Sequence, residues 1–263
     1  MLRMRCAFAL RVSTQWIIFE GSARSQVINL INDSEEEQTY RISWQNFRMG
    51  EDVMLEEVKE DQLGDLKIAE PYLKYAPRRI TVPAGASQQL RIMARIPSDL
   101  PDGEYRSHMN IAPEPKQPVL SAEEELRSQS QPVVKIATLT GISFPVIIRK
   151  GKLAVQARFE NPSFQHTEEG LKLSIDLLRD GSRSLFGDVD FICIAGGQEI
   201  VARQVRGLPV YPEVAKRRLQ FDIPYPEGGV SACASMKIVY RAESEDSQYR
   251  GGEIASISIS LQP

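Results

Sequence analysis

The sequence has little of what most site chemistry needs. In 263 residues there are three cysteines and two histidines. Cys6, Cys193 and Cys233 show no CxxC spacing, and His108 and His166 stand far apart. A structural zinc site takes about four such ligands in a close pattern, so no metal is expected. The chain lacks a GxGxxG turn after a strand and a Walker loop, and no cofactor is expected either. GxSxG and HExxH are also missing. Carboxylates gather in loop runs such as Glu35–Glu37 and Glu123–Glu125, which read as solvated charge. A glycosidase pair could be formed by residues remote in sequence, but nothing points to one. His108 lies in a strand-like run and reads as structural. The expectation is a protein with no catalytic residue, not an enzyme.

Charge is nearly balanced, with 32 Lys+Arg against 35 Asp+Glu. There is no basic excess to suggest a nucleic-acid partner. No run of about 18 apolar residues exists, so no helical membrane span is expected. The N-terminal stretch Met1–Arg11 begins like a signal peptide, with two arginines before an apolar patch. That patch ends after about five residues, short of the usual 7–15. Either the chain is cytoplasmic or this start is an export signal that is truncated or mis-started. Cys193 and Cys233 each sit in an apolar strand-like run. They could form a bridge if their strands were neighbours, but two buried free thiols are the preferred reading, and Cys6 is placed outside the fold.

What the chain does have is 42% hydrophobic residues arranged in short alternating runs. This is enough for a packed core and excludes disorder throughout. Leu10–Phe19 reads as a strand with a break at Ser13-Thr14, and Gln26–Ile31 as a second strand. Thr39–Phe47 alternates cleanly, with Tyr40, Ile42, Trp44 and Phe47 facing inward. Gly50–Lys74 is less regular; Glu56–Leu66 has some helical spacing, but Gly64 and the acidic density argue against a long helix, and Ile68–Leu73 suits one helical turn. Strands resume at Arg79–Val82, Gln88–Ile96 and Glu104–Ala112. Pro113–Gln131 reads as a long acidic loop. The run Pro132–Arg149 is rich in β-branched and large apolar residues and reads as one long strand. Lys150-Gly-Lys152 then looks like a join.

Beyond the join, strands are expected at Lys152–Phe159, Leu171–Leu178, Val189–Ile194, Glu199–Val205, Arg218–Ile223, Ala232–Arg241 and Glu253–Leu261. Short strands punctuated by glycine turns are the pattern of an immunoglobulin-like sandwich. The fold class is therefore all-β, with two immunoglobulin-like β-sandwich domains in tandem, residues 8–149 and 150–263.

Five stretches of the first half resemble the periplasmic chaperones of the chaperone–usher pilus pathway, the PapD-like family. They are Phe19-Glu-Gly-Ser-Ala-Arg24, Val27-Ile-Asn-Leu-Ile-Asn32, Tyr75-Ala-Pro-Arg-Arg-Ile-Thr-Val-Pro-Ala-Gly85, Gln89-Leu-Arg-Ile92 and Leu100-Pro-Asp-Gly-Glu-Tyr-Arg-Ser107. They occur in family order over about residues 8–149; the second half matches in length and strand count only. The resemblance implies two sandwiches at an angle, in the periplasm. It also implies a molecular chaperone that lends its long strand to pilus or fimbrial subunits and delivers them to an outer-membrane usher. The lent strand is then Pro132–Arg149. Its subunit-binding face is Val134, Ile136 and Ile142, with Thr138 and Thr140 between them. Val133, Leu139 and Phe144 would need a register change or bulge to join. A free strand of this kind is also expected to pair with a second copy.

Two features depart from the family. Its members anchor the subunit's C-terminal carboxylate with an arginine in the first strand and a lysine in the donor strand. The matching positions here are Trp16 and Ser143, which can donate hydrogen bonds but carry no charge. The family's interdomain charged set also looks altered, since its arginine matches Arg91 and its acid falls near Arg106. A charge-assisted hydrogen bond contributes about 1.5–3 kcal/mol, and each buried aliphatic side chain a similar amount, so an apolar strand can outweigh the lost anchors. The alternatives are a structural or adhesive β-sandwich without chaperone activity, and a carbohydrate-binding sandwich. The latter is disfavoured by two tryptophans and no evident aromatic cluster.

Overall fold

The computed structural model describes residues 10–52, 55–115, 140–225 and 233–261. In chain order the first strands are β1 (Leu10–Val12), β2 (Ile17–Phe19), β3 (Ser25–Asn32), β4 (Gln38–Gln45), β5 (Phe47–Met49) and β6 (Leu55–Glu57). Next come β7 (Leu73–Ala76), β8 (Arg79–Val82), β9 (Ser87–Ala94), β10 (Gly103–Pro113) and β11 (Ile142–Lys150). The remainder are β12 (Val155–His166), β13 (Gly170–Gly181), β14 (Leu185–Ala195), β15 (Gln198–Val210), β16 (Lys216–Pro224), β17 (Ser235–Ala242) and β18 (Glu253–Ser260). The all-β class is as expected. The described residues divide into two compact units, one drawn from Met1–Gln45, Ala69–Pro97 and Arg106–Ile147, the other from Asn46–Ile68, Ser98–Tyr105 and Ile148–Pro263. Two segments of the N-terminal half thus group with the second unit.

The first unit has a sheet in the order β1-β3-β9-β7 and another in the order β2-β11-β10-β4-β8. Strict alternation explains the core. On β3 the buried residues are Ile28, Leu30 and Asn32; on β9 they are Leu90, Ile92 and Ala94. Ile28 lies opposite Leu90 in the ladder, so the two apolar rows share one face. The other sheet contributes Phe19, Tyr40, Ile42, Val82, Met109, Ile111 and Val146, all under 4% exposed. Each such aliphatic or aromatic side chain contributes about 1.5–3 kcal/mol by leaving water. Asn32 is fully buried but satisfied: its amide donates to Val82 O at 3.0 Å and Glu36 O at 2.7 Å, and it accepts from Ser34 N–H.

The break at Ser13-Thr14 moves the chain from one sheet to the other. Arg11 and Val12 pair with Ile31 and Leu30 of β3, and Ser13 N–H still donates to Asn29 O. The Thr14 hydroxyl then donates to Trp16 O at 2.6 Å. This local bond competes with the ladder and turns the chain toward β2, which joins the other sheet.

The second unit has a three-stranded sheet, β12-β13-β16, and a four-stranded one, β15-β14-β17-β18. All seven strands expected after the join are present, most of them longer than read. Leu171, Leu173, Ile175 and Leu177 form the buried face of β13; Val189, Phe191 and Cys193 form that of β14. Phe191 meets Phe221 at 4.7 Å between ring centroids. Arg179 is buried and donates to the carbonyls of Val214, Gly181, Arg183 and Pro212, so its charge is spread over four backbone oxygens.

Several expectations are refined or corrected. Residues 55–66 hold no long helix, as Gly64 and the acidic density lead one to expect, but β6 and a 3-10 turn at Glu60–Gln62. The turn expected at Ile68–Leu73 is a 3-10 turn at Glu70–Tyr72, and the chain is extended from Leu73, ahead of Pro77. Phe47 sits on β5, paired with Glu57, apart from β4.

The thiol reading is also overturned. Cys193 and Cys233 are joined, with Cα atoms 5.5 Å apart and 40 positions between them in sequence. Cys193 lies opposite Met236 at the start of β17, which brings Cys233 within reach. Both are buried, at 0% and 4% exposure. A loop of this length restricts the unfolded chain, so replacing both cysteines with alanine should cost about 2–4 kcal/mol in urea unfolding.

Candidate functional site

The candidate site is the strand that ends the first unit's sheet. Of the residues assigned to its binding face, Val134, Ile136 and Thr138 lie outside the described residues, as do Cys6 and the segment 116–139. Within the described part the strand begins at Ile142; Thr140 and Gly141 are not in the ladder. Gly141 nonetheless runs close to β10, since a Cβ there would stand 3.0 Å from Ile111 O and 3.3 Å from Ala112 Cα. A side chain at 141 would force the start of β11 away from its neighbour.

Ile142 is half-buried, Ser143 is exposed, and every residue from Phe144 to Arg149 is buried. Alternation places Ile142 and Phe144 on one face without any register change, which corrects the expectation for Phe144. Burial of both faces explains why this run is almost continuously apolar. β11 lies between β10 and β2. On the β2 side, however, the neighbour has three residues against nine in β11. Among the described residues, much of that edge has no strand beside it.

Trp16 and Ser143 are brought onto this region. Trp16 directly precedes β2, is half-buried, and is held through its backbone by Thr14; Ser143 is the second residue of β11. The two positions thus sit on or beside neighbouring strands of one sheet. No cation stands at either.

The positions matched to the family's charged set lie on the first unit's two sheets. Arg91 is exposed on β9, and Arg106 is a buried residue of β10. One buried acid–base pair is Glu104 with Arg149, both in the second unit. Arg149 Nε donates to Glu104 Oε2 at 3.0 Å, with side chains 2% and 1% exposed. Ser184 donates to the same oxygen from its backbone N–H and its hydroxyl, each at 2.9 Å. One signal was available in the sequence. Arg149 closes an apolar run, where a charge is out of place unless it is paired.

A second buried pair, Arg183 with Asp246, shows how the unit handles such charge. Burial pushes Asp246 up, but the hydrogen bond from Tyr249 N–H and the Arg183 guanidinium outweigh it and leave the carboxyl below its usual range.

The fold and the strand define an all-β chain of two sandwich units, the first with an apolar strand that a short neighbour covers only in part on one side. No family model and no curated protein matches the chain. Among solved structures it is similar to the E. coli chaperone DraB, at 12% identity and a TM-score of 0.46, with 97% of each chain covered. It is also similar to the Pseudomonas aeruginosa CupB2 chaperone, at 13% identity and a TM-score of 0.48, covering 96% of this chain and 100% of that one. A structure of the Salmonella enterica SafA pilin in complex with the SafB chaperone matches at 13% identity and a TM-score of 0.45, with 97% of each chain covered. The similarity spans nearly the whole chain at low identity and assigns no residue a role.

Proposed function

We propose that this chain is a chaperone for pilus or fimbrial subunits, acting by donor-strand complementation and handing subunits to an outer-membrane usher. The observation that carries the reading is β11, a strand of nine residues flanked on one side by a neighbour of three. An open ladder edge pairs readily with an incomplete sheet, and alternate apolar side chains then fill the acceptor's groove. The five family-like stretches in order over residues 8–149 support the same reading. Residues 8–149 would be the strand-lending domain and 150–263 the second domain. Trp16 and Ser143 offer hydrogen bonds without charge, so the grip rests on the apolar face of Val134, Ile136 and Ile142. The buried Cys193–Cys233 bridge fits an oxidising compartment such as the periplasm.

Co-expression tests this. Fimbrial subunits that aggregate alone should become soluble with the wild-type chain. With Ile136→Asp or Ile142→Asp, soluble subunit should fall at least about tenfold, because a buried carboxylate costs more than the 1.4 kcal/mol that a factor of ten represents. A melting temperature close to wild type would show that the variants fold. Full solubility with both variants would sink the proposal. It would favour a structural or adhesive sandwich, the reading that β11's pairing with both β2 and β10 supports.

A further inference from the structure

The first unit also holds a groove on the opposite flank of the sheet from β2, between β4 and β7. Its volume is about 810 Å³, within the range of ligand-binding clefts. Trp44 and Tyr75 line it as an edge-to-face pair with centroids 5.4 Å apart, beside the buried Leu73. Four cations surround this apolar floor: Arg41, Lys74, Arg78 and Arg79. The groove has two acids, Glu70 and Glu114. It thus carries a basic surplus on a chain whose formal net charge is −3.

The cations are not equivalent. Arg41 and Arg79 lie directly opposite each other in the β4–β8 ladder, where like charges repel. Glu114 resolves this, at 2.6 Å from Arg79 and 3.4 Å from Arg41. Among the described residues, Lys74 and Arg78 are in no ion pair, and both are exposed. Arg78 lies 5.8 Å over the Tyr75 ring, so its charge is held at the groove.

The backbone adds a third element. The β4–β8 ladder ends at Arg41, after which Ile42 N–H donates to Arg78 O at 3.0 Å and Ile42 O accepts from the Tyr75 hydroxyl at 2.9 Å. Backbone groups that face one side of a strand recur every second residue, so the next pair on that side belongs to Trp44. Trp44 thus presents backbone hydrogen-bonding groups together with its ring.

We propose that this groove binds an extended acidic segment of a partner protein, its carboxylates meeting Lys74 and Arg78 and its apolar side chains resting on Trp44 and Tyr75. This surface is separate from β2 and β11 and does not depend on the donor-strand reading; Ile142 has no part in it. The charge selects an acidic ligand, and the apolar floor with a strand-edge backbone favours a peptide over a small free anion.

The test is a titration of the full chain with a fluorescein-labelled peptide of alternating glutamate and valine, followed by anisotropy and by tryptophan emission. Saturable binding that weakens with added salt is expected. Lys74→Gln with Arg78→Gln should weaken it about tenfold, as the loss of two exposed ion pairs requires, with an unchanged melting temperature. Trp44→Phe should abolish the emission change. No saturable binding would overturn the proposal, as would equal binding by the Gln/Gln variant or by a peptide of alternating glutamine and valine. None of these outcomes bears on subunit solubility, so this site and the donor strand can fail independently.

Discussion

Replacing Arg149 with methionine is expected to remove about 3–5 kcal/mol of stability, read as a lower urea midpoint at neutral pH. The reason is the carboxylate left behind. Glu104 is 1% exposed at its side chain and has Arg149 Nε as its charged partner at 3.0 Å. Without the guanidinium it keeps two hydrogen bonds from Ser184, which cannot neutralise a buried charge. A double variant, Glu104→Leu with Arg149→Met, should recover much of the loss, because swapping a whole buried pair for apolar groups is often near neutral. Recovery should stop short of wild type by about 1–3 kcal/mol, since Ser184 N–H then loses its acceptor. If the single and double variants are equally unstable, the pair is not the source of the cost.

That pair also shows what the sequence could and could not reveal. Strands were legible because they are local: burial alternates along β3, β9 and β13, and a period of two needs no knowledge of the partner strand. The kink at Ser13-Thr14 was legible for the same reason, as Thr14 acts on its own neighbours. Pairings across the fold were not. Glu104 and Arg149 are 45 positions apart, and the cysteines 40, so only the ladder order brings them together. Residues 46–68 and 98–105 belong to the first half by sequence but group with the second unit, which composition does not signal. Trp44 illustrates an intermediate case. Its inward parity on β4 was read correctly, but it is only half-buried and lines an open groove instead of closing a core.

Lowering the pH from 7 to 5 should cost the protein about 2 kcal/mol through His108 alone. This histidine is 3% exposed on β10, opposite Gln45. Burial pushes it down from 6.5 to about 3, with a further push from the Arg106 charge. The folded state therefore holds the neutral ring, while the unfolded chain takes up a proton near 6.5. Between these values the unfolded state binds one more proton than the folded state. Stability is then fully present above about pH 6.5 and falls by about 1.4 kcal/mol per unit as the pH drops toward 3, for a total near 5 kcal/mol. Burial raises Glu243 toward this window, but that carboxylate is the same in wild type and in His108→Leu and drops out of their comparison. Burial raises Asp176 and Asp246, but their hydrogen bonds to Asn161 and Arg218, and to Tyr249 and Arg183, leave both below the usual range and ionised at pH 5. Urea unfolding at pH 7 and pH 5 should thus show a fall in wild type that is about 2 kcal/mol larger than in His108→Leu. Comparing slopes instead of absolute stabilities cancels whatever the substitution itself costs in packing. Equal slopes in the two proteins would mean that His108 takes up its proton in the fold as readily as in the unfolded chain. Burial at this position would then be compensated, and the strand would tolerate acid far better than its geometry implies.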